Sequence, residues 1–174
     1  RSVYRTDFDV QDWSGKLIKE KLNLENNKLE QKWEASIDPS SRKVWFNDTK
    51  KTKKLKRLST SADLNGYDDF KRSLNSDDNK GDKRLEYLLG KHIDGFRYRK
   101  TLLGDIVNSS PVLVEGAQYS AQFATKLGAG GDQYAAFITK PAKEREGMIY
   151  VGANDGMLHA FNSTTGTEEF AFIP

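Results

Sequence analysis

The sequence predicts a mainly β fold with a helical insertion, a partial, modified β-propeller carrying one or two blades' worth of strands of a larger propeller. Three observations carry that reading. Residues 148–173 run strand, tight turn, strand, turn, strand. Residues 3–33 repeat the rhythm, and placing Gly15 on Gly156 also places Leu17 on Leu158 and brings Trp33 near Phe170. Between these stretches lie two short runs of helical periodicity that are no part of a blade.

Taken in order, residues 3–10 alternate like a half-buried strand. Asp12, Trp13, Ser14 and Gly15 make the turn, and residues 16–22 return. A polar loop, 23–27, leads to a third strand, 28–33. Residues 42–47, with Val44, Trp45 and Phe46, form another. The basic run beyond it holds Lys50, Lys51, Lys53, Lys54, Lys56 and Arg57. Such a run suits an acidic polymer such as nucleic acid or a sulfated glycan, and it equally suits a solvated edge strand whose lysines block pairing. No aromatic residue interleaves with the lysines, so nucleic acid is not expected as a partner.

Residues 59–75 place Leu64, Tyr67, Phe70, Lys71 and Leu74 at three-to-four spacing behind Ser61 or Asp63 as a cap, which predicts a helix. A polar loop follows over 75–82. Residues 83–89 predict a second helix, with Leu85, Leu88 and Leu89 on one stripe and Gly90 as its stop. Residues 92–99 read as loop. Beyond Pro111, Val112 to Val114 read as a compact buried strand. Residues 119–127 allow a helix, 128–131 a flexible turn, and 133–139 either helix or strand. Ile149 to Val151 begin the final strands. Asn154, Asp155 and Gly156 form a turn of residues that tolerate positive φ. Met157, His159 and Phe161 then share one strand face, and Leu158 and Ala160 the other. A turn at Gly166 leads to a last strand from 169. The chain is thereby divided into first propeller strands and basic loop (1–58), helical insertion (59–100) and further propeller strands (101–174), all one fragment of a larger domain.

The 174 residues suffice for one domain with a core, and nine Phe, seven Tyr and three Trp argue for packing rather than disorder. Net charge is +3, and mean hydropathy is −0.75. The absence of cysteine excludes disulfides and thiolate metal sites. No apolar run reaches the ~18 residues that would span a bilayer as a helix. The ends at Arg1 and Pro174 are expected to be cuts in a longer polypeptide, with any export signal out of view. Open edge strands would then make the segment stable only with the remainder of its domain or by self-association.

Enzyme chemistry finds little support, and no catalytic residue is assigned. His92 and His159 stand in no metal-ligand spacing, and no Gly-x-Ser-x-Gly elbow or phosphate loop occurs. His159 reads as a packed or hydrogen-bonded histidine. Asp105 and Asp155 read as turn residues whose carboxylates accept backbone N–H groups. Asp77, Asp78, Asn79 and Asp82 make a weak calcium candidate, lacking regular oxygen-ligand alternation and a Glu at the twelfth position.

Five segments occur in an order similar to that of the PilC/PilY family of type IV pilus assembly and tip-adhesin proteins of Gram-negative bacteria. They are Asp12-Trp13-Ser14-Gly15-Lys16-Leu17, Arg84-Leu85-Glu86-Tyr87-Leu88-Leu89-Gly90, Phe96-Arg97-Tyr98-Arg99, Leu103-Gly104-Asp105-Ile106-Val107-Asn108-Ser109-Ser110-Pro111-Val112 and Tyr150-Val151-Gly152-Ala153-Asn154-Asp155-Gly156-Met157-Leu158-His159-Ala160-Phe161. The resemblance spans nearly the whole chain. It implies the opening part of the family's C-terminal propeller domain, modified by extra helices. It implies a non-enzymatic, exported protein of the outer membrane, cell surface and pilus tip, one that promotes pilus extension against retraction and attachment to host cells. Its implied partners are the remainder of the propeller domain, minor pilins at the pilus tip and a host-cell receptor. Family propellers bind calcium in an Asp-rich loop that influences retraction, and no segment here matches that loop. Some members carry Arg-Gly-Asp where this chain reads Leu89-Gly90-Lys91, so integrin binding does not carry over. Two other readings stay open. One is a quinoprotein-like propeller enzyme, against which Trp13, Trp33 and Trp45 show no repeated docking pattern. The other is a glycan- or polyanion-binding module built on the Lys50 to Arg57 run.

Overall fold

Among the described residues, nine strands fall into two sheets. The computed structural model describes residues 2–48, 54–60, 63, 68–116, 126, 128 and 130–174. Lys50, Lys51 and Lys53, the helix positions Ser61, Leu64 and Tyr67, and most of the ambiguous stretch 119–127 lie outside these residues.

Strands β1 (Ser2–Asp9), β2 (Ser14–Asn23) and β3 (Lys28–Glu34) form an antiparallel sheet. The turn at 10–13 closes the first hairpin with Phe8 opposite Gly15. Asp12 carries the turn by accepting the Ser14 N–H at 3.0 Å. The second sheet has the order β5-β4-β9-β8-β7-β6. Its strands are β4 (Val44–Asp48), β5 (Lys54–Leu58), β6 (Val112–Val114), β7 (Met148–Ala153), β8 (Met157–Asn162) and β9 (Glu168–Ile173). β6 to β9 form an antiparallel meander, the four-strand unit of a propeller blade. β4 adds parallel to β9, and β5 adds antiparallel to β4. Neither sheet closes on itself. The protein is thus mostly β, a partial propeller with helices inserted.

Among the described residues four helices interrupt the strands: α1 (Asp68–Asn75), α2 (Gly81–Leu89), α3 (Gly131–Thr139) and α4 (Pro141–Glu144). α1 opens on Asp68 and Asp69 and ends near Arg72, charges that suit its dipole. Gly90, at φ 112°, closes α2 by donating to the Tyr87 carbonyl, and Lys91 donates to Glu86. α2 starts two residues before the expected position because Asn75 Oδ1 takes the Gly81 N–H at 2.8 Å. Residues 133–139 are helical, and Gly131 already belongs to that helix.

Alternation along the strands builds two cores on the blade. Val44, Phe46, Leu58, Met157 and Ala171 meet Leu85 and Leu89 of α2, with Phe70 of α1 stacked on Phe46 at 4.4 Å. Leu17 of the small sheet and Leu103 and Ile106 of a linking segment meet Ile149, Val151 and Phe161. Burying a side chain such as Phe161 contributes roughly 1.5–3 kcal/mol. Met157 and Phe161 therefore serve different cores from one face of β8, with His159 between them.

One expectation needs correction. The Val112 to Val114 strand is not buried: β6 is a sheet edge, and Val112 is 56% exposed. An apolar run that reads as core strand is here a strand with one neighbour. The two hairpins of like rhythm stand in separate sheets, bridged by Ser14 of β2 to Gly104.

Candidate functional site

The two turns singled out in the sequence meet across a third segment. Gly15 donates to the Leu103 carbonyl at 2.9 Å, Asp105 donates to the Trp13 carbonyl at 3.1 Å, and Asn154 donates to the Asp105 carbonyl at 2.9 Å. Residues 103–105 are thus a short extended link between the β1–β2 turn and the β7–β8 turn. A Cβ on Gly15 would lie 2.0 Å from the Gly104 carbonyl oxygen, and one on Gly104 would lie 2.6 Å from the Asp155 amide nitrogen. Three backbones pass too closely here for any side chain, which is what the two glycines supply. Gly166 closes the next turn at φ 77° directly beneath the Trp33 ring. Lys19 Nζ and Trp33 Nε1 both donate to the Ser163 carbonyl in that turn, at 2.6 and 3.3 Å.

Beneath this junction lies a buried chain of four charges. Arg42, just before β4, donates Nε to Glu168 Oε2 at 2.8 Å and Nη2 to Glu168 Oε1 at 3.0 Å. Its Nη1 donates to the Leu88 carbonyl at 2.6 Å, tying the end of α2 to the blade. Glu168 Oε1 also takes His159 Nδ1 at 2.7 Å. His159 Nε2 meets the Asp155 carboxylate at 3.0 Å. Asp155 further accepts the Gly104 N–H at 3.1 Å and the Met157 N–H at 3.1 Å. With a carboxylate on each ring nitrogen, His159 must donate from both and is an imidazolium. The quartet then balances two positive against two negative charges.

The acid–base behaviour follows from that balance. Burial opposes the charged form of His159, but hydrogen bonds and charge from Asp155 and Glu168 outweigh it and raise its pKa. Burial likewise opposes ionisation of Asp155 and Glu168, yet His159 and Arg42 hold both carboxyls below their ordinary values. His159 is fully buried with both nitrogens engaged, so it has none left to exchange a proton with a bound molecule.

The turn residues Asp12, Gly15, Asn154 and Asp155 all gather at this junction. Gly156 sits beside it at φ 86°, and Gly166 lies at the neighbouring turn. Asp155 accepts backbone N–H groups as expected. Asp105 instead takes the Asn154 side-chain amide at 2.8 Å. Arg42 and Glu168 carry no local sequence signal, and their partnership joins residues 126 apart.

The other candidates lie elsewhere. Asp78 is bound by both Nη groups of Arg84 at 2.5 and 2.6 Å, which with the neighbouring backbone N–H lowers its pKa to about 2. Asp82 faces Lys71 at 3.5 Å, while Asp77 and Asn79 turn at positive φ. Among the described residues no group of three or more His, Asp or Glu side chains is arranged to hold a metal ion, and Asp78 and Asp82 of this loop face Arg84 and Lys71. Lys54, Lys56 and Arg57 lie on β5, the outer strand of the six-stranded sheet. No described helix is long and apolar enough to cross a membrane.

Comparison with known proteins places these features in a family. Residues 103–174, spanning the 103–105 link and the blade meander, match the model of the PilY1 beta-propeller domain. The type IV pilus biogenesis factor PilY1 of Pseudomonas aeruginosa (strain UCBPP-PA14) is 37% identical over 193 residues, covering 100% of this chain and 16% of that protein. The protein of the same name from strain PAK is 36% identical over 197 residues. A PilY1 homolog of Xylella fastidiosa (strain Temecula1 / ATCC 700964) is 33% identical over 178 residues, covering 99% of this chain and 14% of that protein. The chain therefore spans about a sixth of the length of these relatives. No solved structure matches it.

Proposed function

The chain belongs to the PilC/PilY family, and from that premise we propose that it forms part of a type IV pilus biogenesis factor, acting as a non-enzymatic propeller scaffold at the cell surface. The observation that carries this reading is the match along the whole chain to proteins named type IV pilus biogenesis factor. The site supports it: the buried charges are spent on one another and on backbone groups, which fixes a junction. In the same reading the parent protein is exported, reaches the outer membrane and pilus tip, contacts minor pilins there, favours extension over retraction and attaches to host cells. Calcium, implied for the family, would be held by another part of the parent protein.

The test is deletion of the parent gene in its native bacterium, with surface pili counted in the presence and absence of the retraction motor. Pili lost on deletion and restored when retraction is also disabled is the expected result. Unchanged piliation and unchanged attachment to host cells would overturn the proposal.

A further inference from the structure

A cleft of about 470 Å³ opens beside the junction, between the β1–β2 turn, the end of α2 and the loop that follows it. Its volume is that of a small-ligand site, which typically runs ~300–1,000 Å³. Arg97 and Arg99 enter it from that loop. The Arg97 guanidinium lies 4.9 Å from the Trp13 ring centroid and makes no hydrogen bond or ion pair with any described residue. Arg99 lies 3.8 Å over Tyr87 and donates one Nη to the Tyr87 carbonyl. Its other nitrogen, Nη1, is buried with no acceptor. Two guanidiniums therefore lie over aromatic rings with donors unspent, an arrangement suited to a planar anion.

The remaining walls narrow the class of ligand. Asp12, Asp105 and Asp155 also line the cleft beside the two arginines, so a dianionic phosphate would meet about twice the carboxylate repulsion that a monoanionic carboxylate meets. Asp155 is spent on His159 and Gly104, but Asp12 gives only one oxygen to Ser14. The cleft thus offers donors for one carboxylate, acceptors for several hydroxyls, and the Trp13 indole, more than half exposed, as a flat apolar wall. We propose that this cleft binds a sugar acid, with its carboxylate on Arg97 and Arg99 and its hydroxyls on Asp12 and Asp105. This ligand site is independent of the pilus-biogenesis reading and would survive its failure.

The test titrates the intact protein with glucuronate, glucose, inorganic phosphate and an N-acetylated glutamate amide in separate arms, followed by calorimetry and Trp fluorescence. Glucuronate is expected to bind saturably at about millimolar Kd, with glucose, phosphate and the glutamate amide at least about ten-fold weaker. Arg97→Ala should weaken glucuronate by about ten-fold or more while leaving the far-ultraviolet circular dichroism unchanged, because Arg97 is exposed and its guanidinium meets only the Trp13 ring among the described residues. Arg97→Lys should fall between the two. Absence of saturable glucuronate binding, indifference to Arg97→Ala, or tighter binding of phosphate or the glutamate amide would overturn the proposal.

Discussion

The β7–β8 hairpin and the β1–β2 hairpin turn on Gly156 and Gly15 in the same rhythm, yet they live in different surroundings. In the first, Ile149, Val151, Met157, His159 and Phe161 are all buried. In β1 no residue is fully buried, and Val3 and Phe8 stand exposed. The difference does not arise in the hairpins. β7 and β8 have β6 and β9 beside them, two helices over one end and the small sheet over the other, whereas β1 is an outer strand with a single neighbour. Turn chemistry makes a hairpin, but distant segments decide how much of it is buried.

Breaking the quartet should give the largest contrast. Glu168→Ala leaves buried Arg42 without its carboxylate and His159 with Asp155 alone, at an expected cost of about 3–5 kcal/mol in urea denaturation. Arg5→Ala, which removes the half-exposed Arg5 from its pairs with Asp7 and Glu20 in the small sheet, should cost at most about 1 kcal/mol. Next comes the link between the hairpins. Gly104→Ala drives a Cβ into the Asp155 backbone, and an overpacking cost of about 1–3 kcal/mol is expected. Smaller still, Ile149→Val should cost about 0.5–1.5 kcal/mol, while Val3→Ala should stay within about 0.5 kcal/mol.

The pH dependence sharpens the same comparison. The His159 pKa is raised above 6.5, so its contribution is full below that value and is lost as pH rises through the raised pKa. Asp155 and Glu168 sit below 3.8 and 4.5, so their contributions are present above those values and are lost as pH falls through the lowered ones. Thermal melts should show a stability plateau between about 4.5 and 6.5 that declines on both sides. Glu168→Gln should flatten both declines, and an unchanged profile would refute the quartet's role. The smallest effect is expected at the outer strand of the large sheet. Replacing Lys54 and Arg57 by Gln should leave the melting temperature unchanged but increase aggregation on storage, since charge on an edge strand blocks pairing. Loss of heparin retention in that variant would instead favour the polyanion-binding reading.

Much of this was legible in local sequence. The Asp12 to Gly15 and Asn154 to Gly156 turns, the shared face of Met157, His159 and Phe161, and the stop at Gly90 all follow from short-range chemistry. The six-stranded order was not, because β4 joins β9 from more than 120 residues away in the parallel sense. The charged quartet escaped for the same reason. His159 and Asp155 are close in sequence, but the acid near Arg42, Asp38, is spent on Ser40 and Ser41, and its actual partner lies 126 residues away. Val112 to Val114 misled because an apolar edge strand and a buried one share a composition, and only the count of neighbours separates them.

The central claim is that the blade hairpin is locked by neighbours on both sides, whereas β1 of the small sheet is an outer strand held by β2 alone. Native-state hydrogen exchange on the intact protein tests it most directly. Amides of Ile149, Val151 and Ala160 to Phe161 should exchange only through global unfolding, and those of β1 through local opening at markedly lower free energy. Equal protection in both hairpins, or slower exchange in β1 than in β8, would contradict the account.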